Sequence, residues 1–318
     1  MSKENKFLKD MTKGTPWKLL LQFAVPLFIG NIFQQLYNMV DSIIVGNFVG
    51  PNALGAIGTT NSLNFLFFSL VAGLSVGIGI IVAQFFGSNN EEKVKDTIGN
   101  AIWIVLISSV IMACIGFFIA KPVLVLLRTD KVILGDATAY LKVTSIGICC
   151  TGLYNGVSSI LRALGDSKTP LIFLIFASLV NVVLDLWFVL GLGWGVVGAG
   201  VATAFSQFLS AVTCIFYAYK SNTYFRLKKK NLKLNSYIVE KSLRLGIPVA
   251  LQNSLIAFSL IVLQAIVNGY GATFTTAFTV ISRIETLVQQ PFMSLGAAVS
   301  IYRSESWCRK DRQSCERI

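Results

Sequence analysis

Two acidic residues, Asp41 and Asp185, lie inside long apolar segments and have polar residues at helical spacing around them. A charged side chain in such a segment is costly unless it faces protein or water, so it marks a functional site by default. Asp41 ends a stripe of amides that recur every three to four residues and therefore share one helical face: Asn31, Gln34, Gln35 and Asn38. We expect this face to line a cavity.

A second polar group precedes and follows a glycine-rich stretch. Asn181 and Asp185 are four residues apart and are therefore neighbours on one helical face. Thr203 comes early in the next apolar segment, after glycines that permit close approach of backbones: Gly191, Gly193, Gly195, Gly198 and Gly200. Asp41, Asn181, Asp185 and Thr203 are the candidate cation site. Its carboxyl groups would take and release a proton near neutral pH, or its oxygens would hold Na⁺.

Other chemistry has less support in the sequence. The alternative for each of these polar groups is a structural hydrogen bond between helices. Arg283 and Glu285 are two residues apart and face different sides of a helix, so they need other partners and we assign them no role. The chain has no histidine and no Cys-x-x-Cys pair, so we expect no cofactor and no dedicated metal site. It also has no nucleophile motif, so we do not expect an enzyme.

The segments that carry these residues are long enough to cross a bilayer. The chain has 318 residues, of which 54% are hydrophobic and 13% are charged, and its mean hydropathy is +0.68. Apolar runs of about 20 residues or more occupy residues 17–45, 53–84, 98–120, 137–160, 170–190, 196–219, 243–268 and 275–302. Because they are too long and too uniformly apolar for barrel strands, we predict an all-α, polytopic membrane protein with eight helices.

The basic residues lie in the loops between these runs. Loops on one side carry seventeen Lys and Arg residues, and they comprise residues 1–18, 85–97, 161–169 and 220–244. The other side carries four, between Lys121 and Lys142. The positive-inside rule then places the amino terminus and the 220–244 segment in the cytoplasm of a cell-membrane protein. The net charge of +12 is explained by the bilayer surface, so we expect no nucleic-acid partner.

The first and seventh apolar runs are related by an internal repeat. Shifting the chain by 222 residues aligns Leu21, Val25, Pro26, Leu27 and Asn31 with Leu243, Ile247, Pro248, Val249 and Asn253. Six helices separate the copies, so the repeats are parallel, as in many transporters. We predict a cytoplasmic N-terminus (1–16), a six-helix N-lobe (17–219), a basic cytoplasmic linker (220–242) and two helices of a C-lobe (243–302).

Three motifs carry a family resemblance over residues 10 to about 302. They are PLFIGNIFQQLYNMVDSIIVGNFVGPNALGAIG from Pro26, RALGDSKTP from Arg162, and NVVLD from Asn181. These resemble the first helix and following loop, the loop before the fifth helix, and the fifth-helix polar motif of the multidrug and toxic compound extrusion (MATE) transporters.

The resemblance implies an exporter that exchanges organic cations or other amphipathic toxicants for inward-moving H⁺ or Na⁺ by alternating access of two six-helix lobes. Asp41, Asn181, Asp185 and Thr203 match the family's N-lobe cation site. Pro26 is the implied bend point of the first helix, and Pro248 is its counterpart in the seventh. Residues 243–268 contain no acidic residue, which places a carboxylate-based site in that helix in doubt. The expected partners are the lipid bilayer and a small-molecule substrate, with the protein acting as a monomer.

A flippase of lipid-linked sugars from the same superfamily is the alternative function. Such a protein needs a more cationic central cavity for pyrophosphate, whereas the intramembrane charges of the N-lobe here are two acids. The last segment, residues 303–318, is highly charged and resembles nothing upstream. We predict that this tail is a frameshifted reading, which would leave the chain truncated after its eighth helix.

Overall fold

The computed structural model of the protein describes residues 15–127, 129–268 and 272–310. Within that part of the chain, long α-helices are joined by short loops and no β-strand is present. In chain order the helices are α1 (Pro16–Phe48), α2 (Pro51–Gly87), α3 (Glu91–Leu126), α4 (Lys131–Ala163), α5 (Lys168–Asp185), α6 (Gly195–Ser221), α7 (Ser236–Asn268) and α8 (Ala272–Lys310). The predicted all-α class is confirmed, and seven of these helices are long and apolar enough to cross a membrane.

Local sequence explains where the helices begin. Proline occupies the first position of α1 and of α2, where its missing N–H costs nothing. The Asn90 side chain accepts a hydrogen bond from the Lys93 backbone N–H at 3.1 Å and caps α3. Asp166 holds the start of α5 with both carboxylate oxygens, which accept from the Lys168 and Thr169 N–H groups and from the Thr169 hydroxyl.

Three segments differ from the helix bounds expected from hydropathy. The fifth run is not one α-helix, because a π-helical turn spans Leu186–Gly191 directly after Asp185. α7 begins at Ser236 rather than at residue 243. Residues 236–242 are too polar to be recognised by hydropathy, but Ile238 and Lys241 of this stretch are buried against the bundle. α8 continues through residues 303–310, while residues 311–318 of the predicted aberrant tail lie outside the described residues.

The first six helices form one packed unit around α2 and α4. α4 packs on α2, α3 and α6, and α5 bridges α6 and α1. Small side chains let α2 and α4 approach closely: the Ser159 hydroxyl donates to the Ser75 carbonyl at 2.7 Å, and a Cβ atom added to Gly79 would lie 2.5 Å from the Ser159 hydroxyl. This unit corresponds to the predicted N-lobe.

The linker between α6 and α7 is anchored to the start of α3. Asn231 is buried, and its Nδ2 donates to the Asp96 carboxylate at 2.6 Å. Asn100 accepts from the Asn235 N–H and donates to the Lys233 carbonyl. We call the end of the bundle that carries this linker the linker end. The opposite end, which carries the loops at 49–50 and 192–194, is the far end.

α7 and α8 contact the N-lobe through α2 and α1. A Cβ atom added to Gly73 would lie 2.5 Å from the Ala250 backbone, and one added to Gly77 would lie 2.6 Å from the Gly246 backbone nitrogen. α8 packs its Ala298 against Phe23, Ala24 and Leu27 of α1. These contacts lie in the half of the bundle nearer the linker end, because they involve the first half of α1 and of α7 and the last half of α2 and of α8.

Candidate functional site

A cavity of about 250 Å³ lies inside the N-lobe. Four helices contribute polar side chains to its wall: α1 gives Gln34, Tyr37 and Asn38, α2 gives Asn61 and Asn64, α4 gives Tyr140, Thr144 and Thr151, and α6 gives Thr203 and Gln207. The sets of α2, α4 and α6 recur at intervals of three, four or seven residues, and on α1 Gln34 precedes Tyr37 and Asn38 by three and four residues, so each set lies on one side of its helix. No Lys or Arg side chain is among the described residues that line the cavity.

Asp41 and Asp185 are buried, with exposed fractions of 8% and 0%. Neither is among the lining residues of the cavity, but both interact electrostatically with Tyr37 and Tyr140, which are. Within the described structure, neither oxygen of Asp185 accepts a hydrogen bond, and the same holds for Oδ1 of Asp41 and Oδ1 of Asn181. Buried acceptors without a donor are unfavourable. A proton or a bound cation at these oxygens would relieve that cost.

The structure brings α5 and α6 together at the predicted polar pair. Nδ2 of Asn181 and the Thr203 hydroxyl are 3.4 Å apart, a long hydrogen bond in which the amide donates. This orientation leaves Oδ1 of Asn181 unoccupied, on the same helical face as Asp185. The carboxylate of Asp185 on α5 interacts electrostatically with that of Asp41 on α1. The structure therefore pairs Asn181 with Thr203 and Asp185 with Asp41.

The site lies toward the far end of the N-lobe. Asp41 is seven residues before the end of α1, which corresponds to about 10 Å at the usual helical rise. Asp185 is the last residue of α5 before the π-helical turn. Such turns are rare in helices and are frequent at functional sites. The rings of Trp187, Phe188 and Trp194 stack on one another just after Asp185, between α5 and α6.

The amide stripe of α1 divides between two faces. Gln34 and Asn38 line the cavity as predicted, and Tyr37 extends the row between them. Asn31 instead donates to the Ser294 hydroxyl of α8 at 3.3 Å, so it lies at the contact between the lobes. Gln35 is half-buried and is not among the lining residues.

The remaining sequence candidates lie elsewhere. Pro26 is buried within α1 and Pro248 lies within α7, so neither can donate to the carbonyl four residues earlier. Glu285 is exposed and accepts a hydrogen bond from Gln289 at 2.9 Å. The Arg283 side chain lies outside the described residues.

Seven polar lining residues were not predicted from the sequence: Tyr37, Asn61, Asn64, Tyr140, Thr144, Thr151 and Gln207. Tyr37 and Tyr140 interact electrostatically with the two acids, and the Tyr37 hydroxyl contacts Gln34 and Gln207. Gln207 follows Thr203 by one helical turn, a signal that was available in the sequence. The two tyrosines carried no such signal, because aromatic residues at helical spacing are typical of a core.

Comparison with known proteins places these residues in a family. The MatE family model matches residues 26–187. In Bacillus subtilis (strain 168), the probable multidrug resistance protein YoeA is 29% identical over 312 residues, covering 96% of this chain and 67% of YoeA. The probable multidrug resistance protein YpnP from the same strain is 31% identical over 292 residues, covering 92% of this chain and 65% of YpnP. The chain thus spans about two thirds of the length of these relatives.

Solved structures share the fold. A MOP superfamily transporter from Pyrococcus furiosus matches with a TM-score of 0.90 at 24% identity, covering 99% of this chain and 70% of that one. A MATE structure described as the bent conformation matches with a TM-score of 0.88 at 25% identity, covering 99% of this chain and 70% of that one. The straight conformation matches with a TM-score of 0.84 at 26% identity, with the same coverage.

Proposed function

The chain belongs to the MatE family, whose members are transporters rather than enzymes, and on that premise we propose that it is a secondary active exporter. Its substrates are organic cations or amphipathic drugs, and it exchanges them for H⁺ or Na⁺. The names of YoeA and YpnP as probable multidrug resistance proteins support a drug-like substrate. The protein acts as a monomer in the cell membrane.

The observation that carries this proposal is the buried acidic site of the N-lobe. Asp41 and Asp185 present carboxyl oxygens that accept no hydrogen bond within the described structure, next to Oδ1 of Asn181. Side-chain oxygens of this kind bind a proton or a small hard cation. Loading and unloading such a site would change the charge and hydration of the cavity, and that change is what couples an ion gradient to movement.

The charge near the cavity favours a cationic substrate. The described residues that line the cavity carry no charged side chain, and the two buried acids, Asp41 and Asp185, interact electrostatically with its lining residues Tyr37 and Tyr140. A flippase that carries a pyrophosphate-linked sugar needs the opposite sign, because buried phosphates require basic partners. The flippase alternative therefore has less support in the N-lobe.

Helix α1 is the element that would respond to the ion. It carries Asp41 near the far end, the buried Pro26 near the linker end and the Asn31 contact to α8. A proline inside a helix removes one backbone hydrogen bond and is a common position for a bend. We propose that ion binding at Asp41 bends α1 at Pro26, and that Pro248 has the corresponding role in α7.

A transport assay with separate gradients tests the function. Because alternating access needs two lobes, the N-lobe of this chain is placed in an intact two-lobe transporter and reconstituted in liposomes. Export of the fluorescent cation ethidium is then followed while an H⁺ or a Na⁺ gradient is imposed alone. We expect export with one of the two gradients, and we expect Asp41→Asn to abolish it. Asn has nearly the same shape but cannot exchange a proton or supply a full negative charge.

Asp136→Asn is the matched control, because Asp136 is exposed on α4 and lies outside the site. It should export as the parent does, and all three proteins should insert in equal amounts. The proposal fails if neither gradient drives export, or if Asp41→Asn exports at the parental rate. Transport of a pyrophosphate-linked lipid in place of ethidium would favour the flippase.

A further inference from the structure

Two lysines converge on one aromatic ring at the linker end of the bundle. The ammonium groups of Lys93 on α3 and of Lys241 on α7 each lie 5.4 Å from the centroid of the Phe85 ring on α2. Lys241 also lies 5.7 Å from the Tyr237 ring centroid. Both lysines follow closely on a helix start, so they share one level of the bundle.

Lys241 is unusual among the described lysines because it is buried without an acidic partner. Its exposed fraction is 6%, and its Nζ donates no hydrogen bond within the described structure. Other lysines around the same end are paired: Lys95 contacts Glu91 and Lys230 contacts Glu92, each with 2.6 Å between Nζ and Oε1. Aromatic rings satisfy part of the charge of Lys241 but accept none of its hydrogen bonds in the usual way.

Charges of both signs lie near this position. Lys93 and Lys241 repel each other, and the amino-terminal ends of α3 and α7 add partial positive charge, whereas the carboxyl end of α2 and the exposed Glu91 and Glu92 at the start of α3 add negative charge. Burying an ammonium group beside a second cation is strongly unfavourable unless an anion joins them. The arrangement is that of an anion site.

One acid lies nearby and must be considered. Glu305 of α8 is buried, and its backbone packs against Gly87, two residues after Phe85. It forms contacts of its own, and Nζ of Lys241 donates no hydrogen bond to it. A single carboxylate would in any case leave one of the two ammonium groups without compensation.

We propose that Lys93 and Lys241 bind a phosphate group at the membrane surface on the linker end. The phosphate belongs either to the headgroup of an anionic phospholipid or to free phosphate. Basic positions between helices at a membrane surface are suited to such headgroups. The oxygens of one phosphate accept several charge-assisted hydrogen bonds and can bridge two ammonium groups.

Binding is tested on the full chain in nanodiscs of phosphatidylcholine with increasing fractions of phosphatidylglycerol. Bound lipid is counted by native mass spectrometry, and the melting temperature is measured in parallel. We expect the parent to retain phosphatidylglycerol and to melt at a higher temperature as its fraction rises. Lys241→Gln should bind about tenfold more weakly and lose most of that gain, as expected for one charged hydrogen bond.

Lys95→Gln is the matched control, because it removes the same charge from α3 but from a lysine that already has an acidic partner. It should bind phosphatidylglycerol as the parent does. A separate arm adds inorganic phosphate to phosphatidylcholine nanodiscs, and a gain there that Lys241→Gln abolishes identifies free phosphate as the source.

Two results would overturn the proposal. One is equal retention of phosphatidylglycerol by the parent and by Lys241→Gln, or equal losses for Lys241→Gln and Lys95→Gln, with no effect of inorganic phosphate. The other is a double-mutant cycle of Lys241→Gln and Glu305→Gln with strong coupling in pure phosphatidylcholine and no further effect of phosphatidylglycerol. That result would identify Glu305 as the partner of Lys241.

Discussion

Asp166 and Asp185 show how differently two buried aspartates of one protein are used. Asp166 accepts hydrogen bonds from the backbone N–H of Lys168 and Thr169 and from the Thr169 hydroxyl, so it fixes the start of α5. Asp185 at the other end of α5 accepts none within the described structure. The first is a structural carboxylate, and the second has its oxygens free for a ligand.

This contrast gives a stability prediction. In detergent without Na⁺, Asp185→Asn should melt no lower than the parent, because it removes a buried carboxyl that has no donor. Asp166→Asn should lower the free energy of unfolding by about 1 kcal/mol, because its amide nitrogen cannot accept the bond that one carboxylate oxygen now accepts. Thermal melts of the three proteins decide the point. A larger loss for Asp185→Asn than for Asp166→Asn would show that Asp185 is structural.

Sequence spacing selected the polar residues of the candidate site but not their surroundings. Asp41, Asn181, Asp185 and Thr203 were predicted because charged and polar residues are rare in apolar helices; in the structure both acids are buried and Asn181 contacts Thr203. Tyr37 and Tyr140 were not predicted, since a tyrosine at helical spacing looks the same whether it lines a core or a cavity. Asn31 was assigned to the cavity, but it contacts Ser294, a residue 263 positions away. Only the packing of the lobes could reveal that contact.

At the level of elements, α2 and α7 depend on small residues for their contact. Gly73 and Gly77 of α2 face Gly246 and Ala250 of α7, with each pair separated by three residues. Such spacing lets two helices approach closely in a membrane. The helices themselves were predictable from hydropathy. The contact between α2 and α7 could not be predicted. The sequence does not show which of the glycines of α2 pack against another helix.

The glycine pairing predicts the effect of single methyl groups. Gly77→Ala would place its Cβ atom 2.6 Å from the Gly246 nitrogen, so α2 and α7 must separate, and we expect a loss of about 1–3 kcal/mol. Gly58→Ala lies on the same helix with no atom within 4 Å of the added methyl group. It should be neutral or slightly stabilising, because alanine favours helices. Melting temperatures test the pair, and equal effects would contradict the close contact.

The π-helical turn after Asp185 was also outside the reach of the sequence. The turn itself, Leu186–Gly191, is uniformly apolar, and hydrophobic periodicity cannot distinguish 3.6 residues per turn from a wider turn over six residues. Local contacts accompany the widened turn: the rings of Trp187, Phe188 and Trp194 stack, and the Trp194 N–H donates to the Phe188 carbonyl.

For the whole molecule, the linker end and the far end should face opposite sides of the membrane. The distribution of Lys and Arg predicts that the linker lies in the cytoplasm. In a background without the six native cysteines, Lys229→Cys should react with an impermeant maleimide only from the cytoplasmic side. Asn52→Cys, at the exposed start of α2, should react only from outside. Labelling of both positions from one side would contradict the arrangement of helices.

The central claim is that the N-lobe binds the coupling cation at Asp41 and Asp185. Because the whole site lies on α1, α5 and α6, it can be measured directly on the purified chain, independently of transport. The measurement is cation binding at equilibrium: radiolabelled Na⁺ retained by the protein, and protons taken up or released in weak buffer after a small pH step, with and without Na⁺.

We expect the parent and Asp136→Asn to bind one Na⁺, or to take up and release one proton, per chain. Asp41→Asn and Asp185→Asn should each reduce that binding at least about tenfold, because each removes a charged ligand. Equal Na⁺ retention and equal proton release by the parent and by the double variant would contradict the account.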